Sequence, residues 1–229
     1  MKTVGLLGGM SWQSSAEYYR LINEGIQARL GGHNNARSLM LTVNFREIEA
    51  WMRAGDWDRI AAHVCQAARQ LEAGGADFVL LASNTIHKVA GAVEAAISVP
   101  FLHVIDATAA AILRRGFHTV GLLGTRVTME QEFYRGRLES HQLSALIPEE
   151  PSRALLHRVI FDELCRGEIR EDSRHVLEGI IGEFQQRGAE GVILGCTELS
   201  LLIRPEHSPL PVFDTTRIHV DAAIALCLA

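Results

Sequence analysis

Two reactive side chains occupy matching places in an internal repeat of this 229-residue chain. The hexapeptide Thr-Val-Gly-Leu-Leu-Gly occurs at Thr3–Gly8 and again at Thr119–Gly124. A second pair of similar segments follows at nearly the same offset, and their alignment places Ser83 opposite Cys196. Two matched polar groups from two matched halves predict chemistry on both faces of a small molecule.

Cys196 has two interpretations when it is considered alone. Free cysteine is often a small buried hydrophobe, and reactivity requires thiolate character. Cys196 ends an apolar strand pattern and precedes Thr197 and Glu198 at a predicted helix start. A helix N-terminus favours the thiolate, so this position predicts a reactive thiol. The other three cysteines lie in helical patterns and are interpreted as packing or surface residues: Cys65, Cys165 and Cys227.

The elements that must position these groups follow an alternating β and α pattern. Short runs of Val, Leu and Ile alternate with amphipathic stretches, which is typical of a parallel sheet covered on both faces. Helical spacing of apolar residues predicts helices over Trp57–Leu71 and His175–Arg187. Strands are predicted near Thr3–Leu7, Ser38–Asn44, Phe78–Ala82, Phe101–His103, Thr119–Leu123, Leu143–Ile147, Gly191–Leu194 and Val212–Phe213.

The repeat predicts two pseudo-symmetric, doubly wound α/β domains. We expect the first domain to span residues 1–107 plus 209–229, and the second to span 108–208. The segment after Leu210 mirrors the segment after Val99, and it could pack with either half. No Pro/Gly/Ser-rich linker separates the halves, so we expect them to pack together.

In open parallel sheets, ligands bind beyond the carboxyl ends of the strands. Four polar segments lie there, each before a helical stretch, and helix N-termini favour a carboxylate. These segments are Gly8–Ser11, Ser83–Thr85, Gly124–Arg126 and Cys196–Glu198. Asn84, Thr85 and Thr197 could also be ordinary helix caps. The glycine pair Gly8-Gly9 lacks any nucleotide-binding pattern, and a tight turn is the favoured interpretation.

Composition excludes several classes of function. A net charge of −5 leaves no basic surface for nucleic acid. No apolar run approaches the roughly 18 residues that a membrane span needs, and no signal peptide is recognisable. The cysteines lack Cys-x-x-Cys spacing and the 10 histidines lack metal-binding spacing, which predicts a reducing, cytoplasmic location and no metal site.

The motifs together resemble the cofactor-independent aspartate/glutamate racemase family. The resemblance runs nearly end to end, over Gly5–Trp12, Asn84–Lys88, Leu122–Met129, Phe133–Leu138, Gly195–Glu198 and Pro211–His219. It implies two α/β domains with the active site between them, no pyridoxal phosphate or other cofactor, and a homodimer. It also implies substrate contacts from Met10, Asn84 and Thr85 in one half, and from Thr197 and Glu198 in the other.

Family members place a cysteine at each of the two strand ends, whereas this chain has Ser83 at the first. The resemblance implies that Cys196 works on the L-enantiomer. An alcohol is a poor base without an activating partner, so Ser83 is better suited to donate or relay a proton. His87 is expected to be exposed or to line the site. Five cations are candidates for a substrate's distal carboxylate: Arg46, Arg53, Lys88, Arg126 and Arg166.

We therefore predict an isomerase that racemises aspartate or glutamate by two-base α-proton transfer, with Cys196 and Ser83 as the catalytic pair. Retention of one cysteine leaves open a cofactor-free decarboxylase of malonate-type acids, which resembles this fold. A non-catalytic amino-acid-binding protein is a third interpretation. Ser83 could also be an introduced replacement for cysteine.

Overall fold

Eight parallel strands form two four-stranded sheets in the computed structural model, which describes all 229 residues. The strands are β1 Thr3–Gly8, β2 Arg37–Thr42, β3 Phe78–Leu81, β4 Phe101–Leu102, β5 Thr119–Gly124, β6 Ser144–Leu146, β7 Gly191–Gly195 and β8 Val212–Asp214. Their orders are β2-β1-β3-β4 and β6-β5-β7-β8. All eight predicted strands are confirmed, and the second sheet repeats the order of the first.

Eleven α-helices connect and cover the strands. They are α1 Trp12–Leu30, α2 Phe45–Ala54, α3 Trp57–Ala73, α4 Ala90–Ala96, α5 Val104–Leu113, α6 Arg126–Glu130, α7 Glu132–Ser140, α8 Ser152–Arg158, α9 Glu171–Gln186, α10 Leu199–Leu202 and α11 Thr215–Leu228. Both predicted helices are confirmed, as α3 and α9. Their apolar stripes are buried against the sheets, which explains why helical spacing revealed them.

The chain divides into two compact units. The first unit comprises Met1–Val104 and His219–Ala229, and the second comprises Ile105–Ile218. The predicted boundaries differ from this division in residues 105–107 and 209–218. The difference at 209–218 arises because β8 pairs with β7, in the register Ile193 with Phe213. A three-residue strand is too short for its sequence to identify the sheet that it joins.

Side chains on the first sheet alternate between two apolar cores. Leu6 packs in one core with residues of α1 and α11, and its neighbour Leu7 packs in the other with residues of α3. Helices therefore cover both faces of this sheet, as the predicted doubly wound arrangement requires. The second unit has its own core, built around Phe184, Leu194 and Leu199. No helix is both long enough and apolar enough to cross a bilayer.

The strand register gives the repeat a structural meaning. Leu7 pairs with Leu81 in the first sheet, and Leu123 pairs with Leu194 in the second. Ser83 lies two residues beyond Leu81 (83 − 81), and Cys196 lies two residues beyond Leu194 (196 − 194). The two side chains thus occupy equivalent positions relative to their own sheets.

Candidate active site

The turn after β1 is built around a glycine that no other residue could replace without strain. Gly9 has φ +89°, and a Cβ on it would lie 2.2 Å from the Val43 carbonyl oxygen. Its N–H donates to Ser15 Oγ at 2.7 Å. The predicted tight turn is therefore confirmed. Met10 follows this turn and packs in the first unit's core, with only 8% of its surface exposed.

Ser83 lies just beyond the end of β3, where the sheet no longer determines its main chain. It is half-buried, and its Oγ accepts a long hydrogen bond from Ile86 N–H at 3.5 Å. A 3₁₀ helix, Thr85–Val89, follows, and Asn84 does not cap it with its side chain. A helical stretch therefore begins at the predicted position, and α4 continues it from Ala90.

His87 is buried behind Ser83, which contradicts the expectation of an exposed side chain. Only 2% of its surface is exposed. Its Nδ1 lies 2.6 Å from the Ser83 carbonyl oxygen, and its Nε2 lies 3.2 Å from the Val104 nitrogen. Both ring nitrogens therefore contact main-chain groups. This geometry gives His87 no bond to the Ser83 hydroxyl.

Cys196 and Glu198 form a contact in the second unit that the sequence did not predict. The Cys196 thiol donates to Glu198 Oε2 at 3.0 Å. Glu198 was predicted to contact substrate, and its carboxylate instead lies against the thiol in this structure. Their spacing of two residues was visible in the sequence, but it did not show that the chain turns back at Thr197.

Burial raises the pKa of the Cys196 thiol well above its ordinary value. The negative charge of Glu198, and the hydrogen bond to it, raise this pKa further. The expected shift toward thiolate is therefore wrong for the protein without substrate. The physical reason is that α10 is a single turn and supplies too little positive potential to offset burial and a neighbouring carboxylate.

The remaining cysteines follow the predicted division into packing and surface residues. All four cysteines are free thiols. Cys65 and Cys227 are buried in the first unit. Cys165 is half-buried and packs against the same apolar core as Cys196, and its negative charge when ionised would raise the pKa of Cys196.

Ion pairs distinguish the five candidate cations. Three are already paired with carboxylates: Arg53 with Glu49, Arg126 with Glu130 and Glu150, and Arg166 with Asp162. Arg46 is exposed in the first turn of α2, and its main-chain N–H donates to the side chain of the cap Asn44. Lys88 is half-buried with its ammonium 3.9 Å from the centre of the Trp57 ring, and burial lowers its pKa. Arg46 and Lys88 form no salt bridge, which makes them the better candidates.

Comparison with known proteins identifies the family of the chain. A model of the Asp/Glu/hydantoin racemase family matches residues 7–223. The chain belongs to this racemase family. The predicted enzyme class, an isomerase of the racemase type, is thereby confirmed, and so is the resemblance inferred from the motifs.

Two solved structures resemble this racemase over their entire lengths. One is a Yersinia pestis protein proposed to be an Asp/Glu racemase, with 45% identity, full coverage of both chains and a TM-score of 0.95. Another is an aspartate racemase homologue from Pyrococcus horikoshii OT3, with 33% identity, full coverage of both chains and a TM-score of 0.89. A curated relative, the broad specificity amino-acid racemase RacX of Bacillus subtilis, is 22% identical over 99% of this chain and 98% of its own length.

Proposed function

We propose that this racemase acts on aspartate, glutamate or both by cofactor-independent transfer of the α-proton. The observation that carries the proposal is the matched position of Ser83 and Cys196, each two residues beyond a paired strand residue. One offers a hydroxyl and the other a thiol, and the proposal assigns each of them one of the two proton transfers. The names of the relatives, which include aspartate and glutamate racemases, support acidic amino acids as substrates.

The first step is removal of the α-proton from the L-enantiomer by Cys196. Glu198 accepts the thiol proton, because its Oε2 already lies 3.0 Å from Sγ. The resulting thiolate then takes the α-proton, so that a C–H bond breaks and an S–H bond forms. Because burial raises the pKa of this thiol, little thiolate is present until a substrate's ammonium group brings positive charge.

The second step is delivery of a proton by the Ser83 hydroxyl to the opposite face of the carbanion. An O–H bond breaks and a C–H bond forms. Glu198 then releases its proton to water, and water returns a proton to the Ser83 oxygen, so that all three groups regain their starting protonation states. Ser83 is a poor base in the reverse direction because His87 contacts its carbonyl group and not its hydroxyl. Met10, Asn84, Thr85 and Thr197 are proposed to bind the substrate. Arg46 or Lys88 is proposed to meet its distal carboxylate.

Thermodynamics limits what a preference for the L-enantiomer can mean. Two enantiomers have equal free energy in water, so net racemisation must have equal catalytic efficiency in both directions. The asymmetry is therefore expected in isotope exchange: an L-substrate should exchange its α-proton at Cys196 more often than it inverts.

We also propose a homodimer and a cytoplasmic location.

Incubation with L- and D-aspartate and glutamate in deuterated water tests the proposal. Proton NMR gives α-deuterium incorporation, and chiral chromatography gives inversion. We expect exchange into L-aspartate or L-glutamate that Cys196→Ser abolishes. Absence of α-deuterium with every one of these amino acids would reject them as substrates.

A cofactor-free decarboxylase is the second candidate, because Cys196 is the one cysteine retained at the two strand ends. Such an enzyme would release carbon dioxide from a substituted malonate and would need a proton donor on one face alone. Carbon dioxide release that depends on Cys196, without α-proton exchange in amino acids, would favour this function over racemisation.

A further inference from the structure

We propose that His87 is a positioning residue for Ser83, and that it holds the main chain beyond β3 so that the hydroxyl can deliver its proton. This inference rests on the proposed racemase function. It adds a role for a buried side chain that lies behind the site. His87 acts through the Ser83 carbonyl group and touches no reacting atom.

Hydrogen bonds determine which ring nitrogen of His87 carries the proton. The Val104 main-chain N–H can only donate, so Nε2, 3.2 Å away, must accept. A neutral imidazole with an accepting Nε2 carries its proton on Nδ1. That N–H then donates to the Ser83 carbonyl oxygen at 2.6 Å. The contacts assign a neutral ring with a single tautomer.

The ring of His87 is itself held in place by other rings. The centroid of the His103 ring lies 4.6 Å away in an edge-on arrangement, and the Phe101 ring lies at 5.7 Å. The His219 ring lies at 6.0 Å, and its own nitrogens contact Tyr18 Oη and the Leu102 carbonyl oxygen. His87 is therefore a rigid bridge from the end of β4 to Ser83.

Ser83 needs such a bridge because the sheet does not support it. β3 ends at Leu81, so Ser83 has no partner in a strand ladder. The bond from Ile86 N–H to Oγ is long, at 3.5 Å. Proton delivery requires the hydroxyl to lie within hydrogen-bond distance of the carbanion, and a displacement of about 1 Å can lower a rate by roughly 100-fold.

The proposed role affects only one half of the reaction. His87 supports the donor in the first unit, whereas Cys196 and Glu198 belong to the second unit. A loosened Ser83 should therefore impair inversion and leave Cys196-dependent exchange of L-substrate intact. A residue needed only for general stability would lower exchange and inversion together.

Two isosteric substitutions separate the two hydrogen bonds. In His87→Asn, the amide N–H can take the place of Nδ1–H and keep the bond to Ser83 O, while Val104 N–H loses its acceptor. In His87→Gln, the amide oxygen can take the place of Nε2 and keep the bond to Val104, while Ser83 O loses its donor. Tyr18→Phe is the control, because it removes the hydroxyl that contacts His219 Nδ1 in the same buried ring cluster.

The experiment compares exchange with inversion in deuterated water for these three variants and the unaltered protein. We expect His87→Gln to lower inversion about 100-fold with exchange into L-substrate retained. We expect His87→Asn to retain more than about a tenth of the inversion rate, because it keeps the hydrogen bond to the Ser83 carbonyl oxygen. Tyr18→Phe should leave the ratio of exchange to inversion unchanged.

Three results would overturn the inference while the racemase proposal stands. The first is that His87→Gln lowers exchange and inversion equally. The second is that His87→Gln inverts its substrate at least as fast as His87→Asn, and the third is that Tyr18→Phe changes the ratio of exchange to inversion. Nitrogen-15 NMR of the imidazole is an independent test: a protonated Nε2 at neutral pH would also overturn it. Absence of exchange in the unaltered protein would instead reject the racemase proposal, and the role of His87 with it.

Discussion

The two units share a backbone plan but differ in the chemistry at the ends of their equivalent strands. Beyond β3 stands Ser83, a hydroxyl with its carbonyl group bonded to a neutral buried imidazole. Beyond β7 stands Cys196, a thiol bonded to the carboxylate of Glu198. The comparison shows two side chains at equivalent positions with different neighbours, and the proposed function assigns the role of base to Cys196 alone.

Removal of the thiol is expected to have the largest effect on this comparison. Cys196→Ser should lower α-proton exchange by roughly 10³- to 10⁴-fold, because a hydroxyl at this position has a far higher pKa than a thiol. Exchange is measured by NMR with L-aspartate and L-glutamate. Ser83→Ala is the matched variant at the other strand end: it should abolish inversion and spare exchange. Equal effects of the two substitutions on exchange would contradict the assigned asymmetry.

Acid should destabilise the first unit through protonation of the buried His219. Burial lowers the pKa of His219 from its ordinary value of 6.5 to about 4, although the Leu102 carbonyl partly opposes this. The unfolded chain therefore binds a proton that the folded chain excludes. The contribution of His219 to the free energy of unfolding is fully present above pH 6.5, and about 3 kcal/mol of it is lost as the pH falls to 4.

His219→Gln removes this titration and tests its size. Urea unfolding at pH 7 and at pH 4.5 gives the loss of stability for each protein. The variant should start less stable, because it disrupts the bond to Tyr18, but it should lose less between the two pH values. An identical pH-dependent loss in both proteins would show that His219 titrates normally in the folded state.

Glu198→Gln should speed the alkylation of Cys196 but slow racemisation. The carboxylate raises the pKa of the thiol, so its removal lowers that pKa and increases the thiolate fraction at neutral pH. Alkylation by iodoacetamide should become faster, with its pH profile shifted to lower pH. Racemisation should nevertheless fall by about 100-fold, because burial keeps most Cys196 side chains as thiols and no carboxylate then takes the thiol proton when substrate binds.

Mass spectrometry of the alkylated Cys196 peptide identifies the thiol that reacts. Cys165 serves as the internal control, because it is a half-buried free thiol of the same unit to which the proposal assigns no proton transfer. Slower alkylation of Cys196 in Glu198→Gln would mean that the carboxylate acts in a different way from the one proposed.

Alanine substitutions at two matched glycines should have the smallest effects, and they test whether the two units have equivalent backbones. Gly75 and Gly188 are equivalent in the repeat, have φ of +96° and +86°, and would each place a Cβ in open space. Alanine at either position should cost about 1 kcal/mol of unfolding free energy, and the two costs should be similar. Gly9→Ala should cost more, since its Cβ would collide with Val43 O. Urea unfolding measures all three, and unequal costs at Gly75 and Gly188 would contradict an equivalent backbone.

Sequence patterns predicted the strands and the equivalence of Ser83 and Cys196 because these features are local or repeated. Buried parallel strands leave continuous apolar runs, which need no knowledge of their partners. The state of Cys196 could not be predicted in this way, because burial and the approach of Glu198 depend on how the chain turns after β7. The contact between His87 and Val104 spans 17 residues and has no sequence signal. The sheet joined by β8 was unpredictable because three residues fit either edge.

The central claim is that Cys196 alone acts as a base at the two strand ends. Initial rates of α-deuterium incorporation into L- and D-substrate, measured for the unaltered protein and for Ser83→Cys, test it most directly. We predict that exchange into the L-enantiomer exceeds inversion in the unaltered protein, and that Ser83→Cys raises exchange into the D-enantiomer by at least about 10-fold. Equal exchange into both enantiomers by the unaltered protein, with no gain from Ser83→Cys, would contradict the claim.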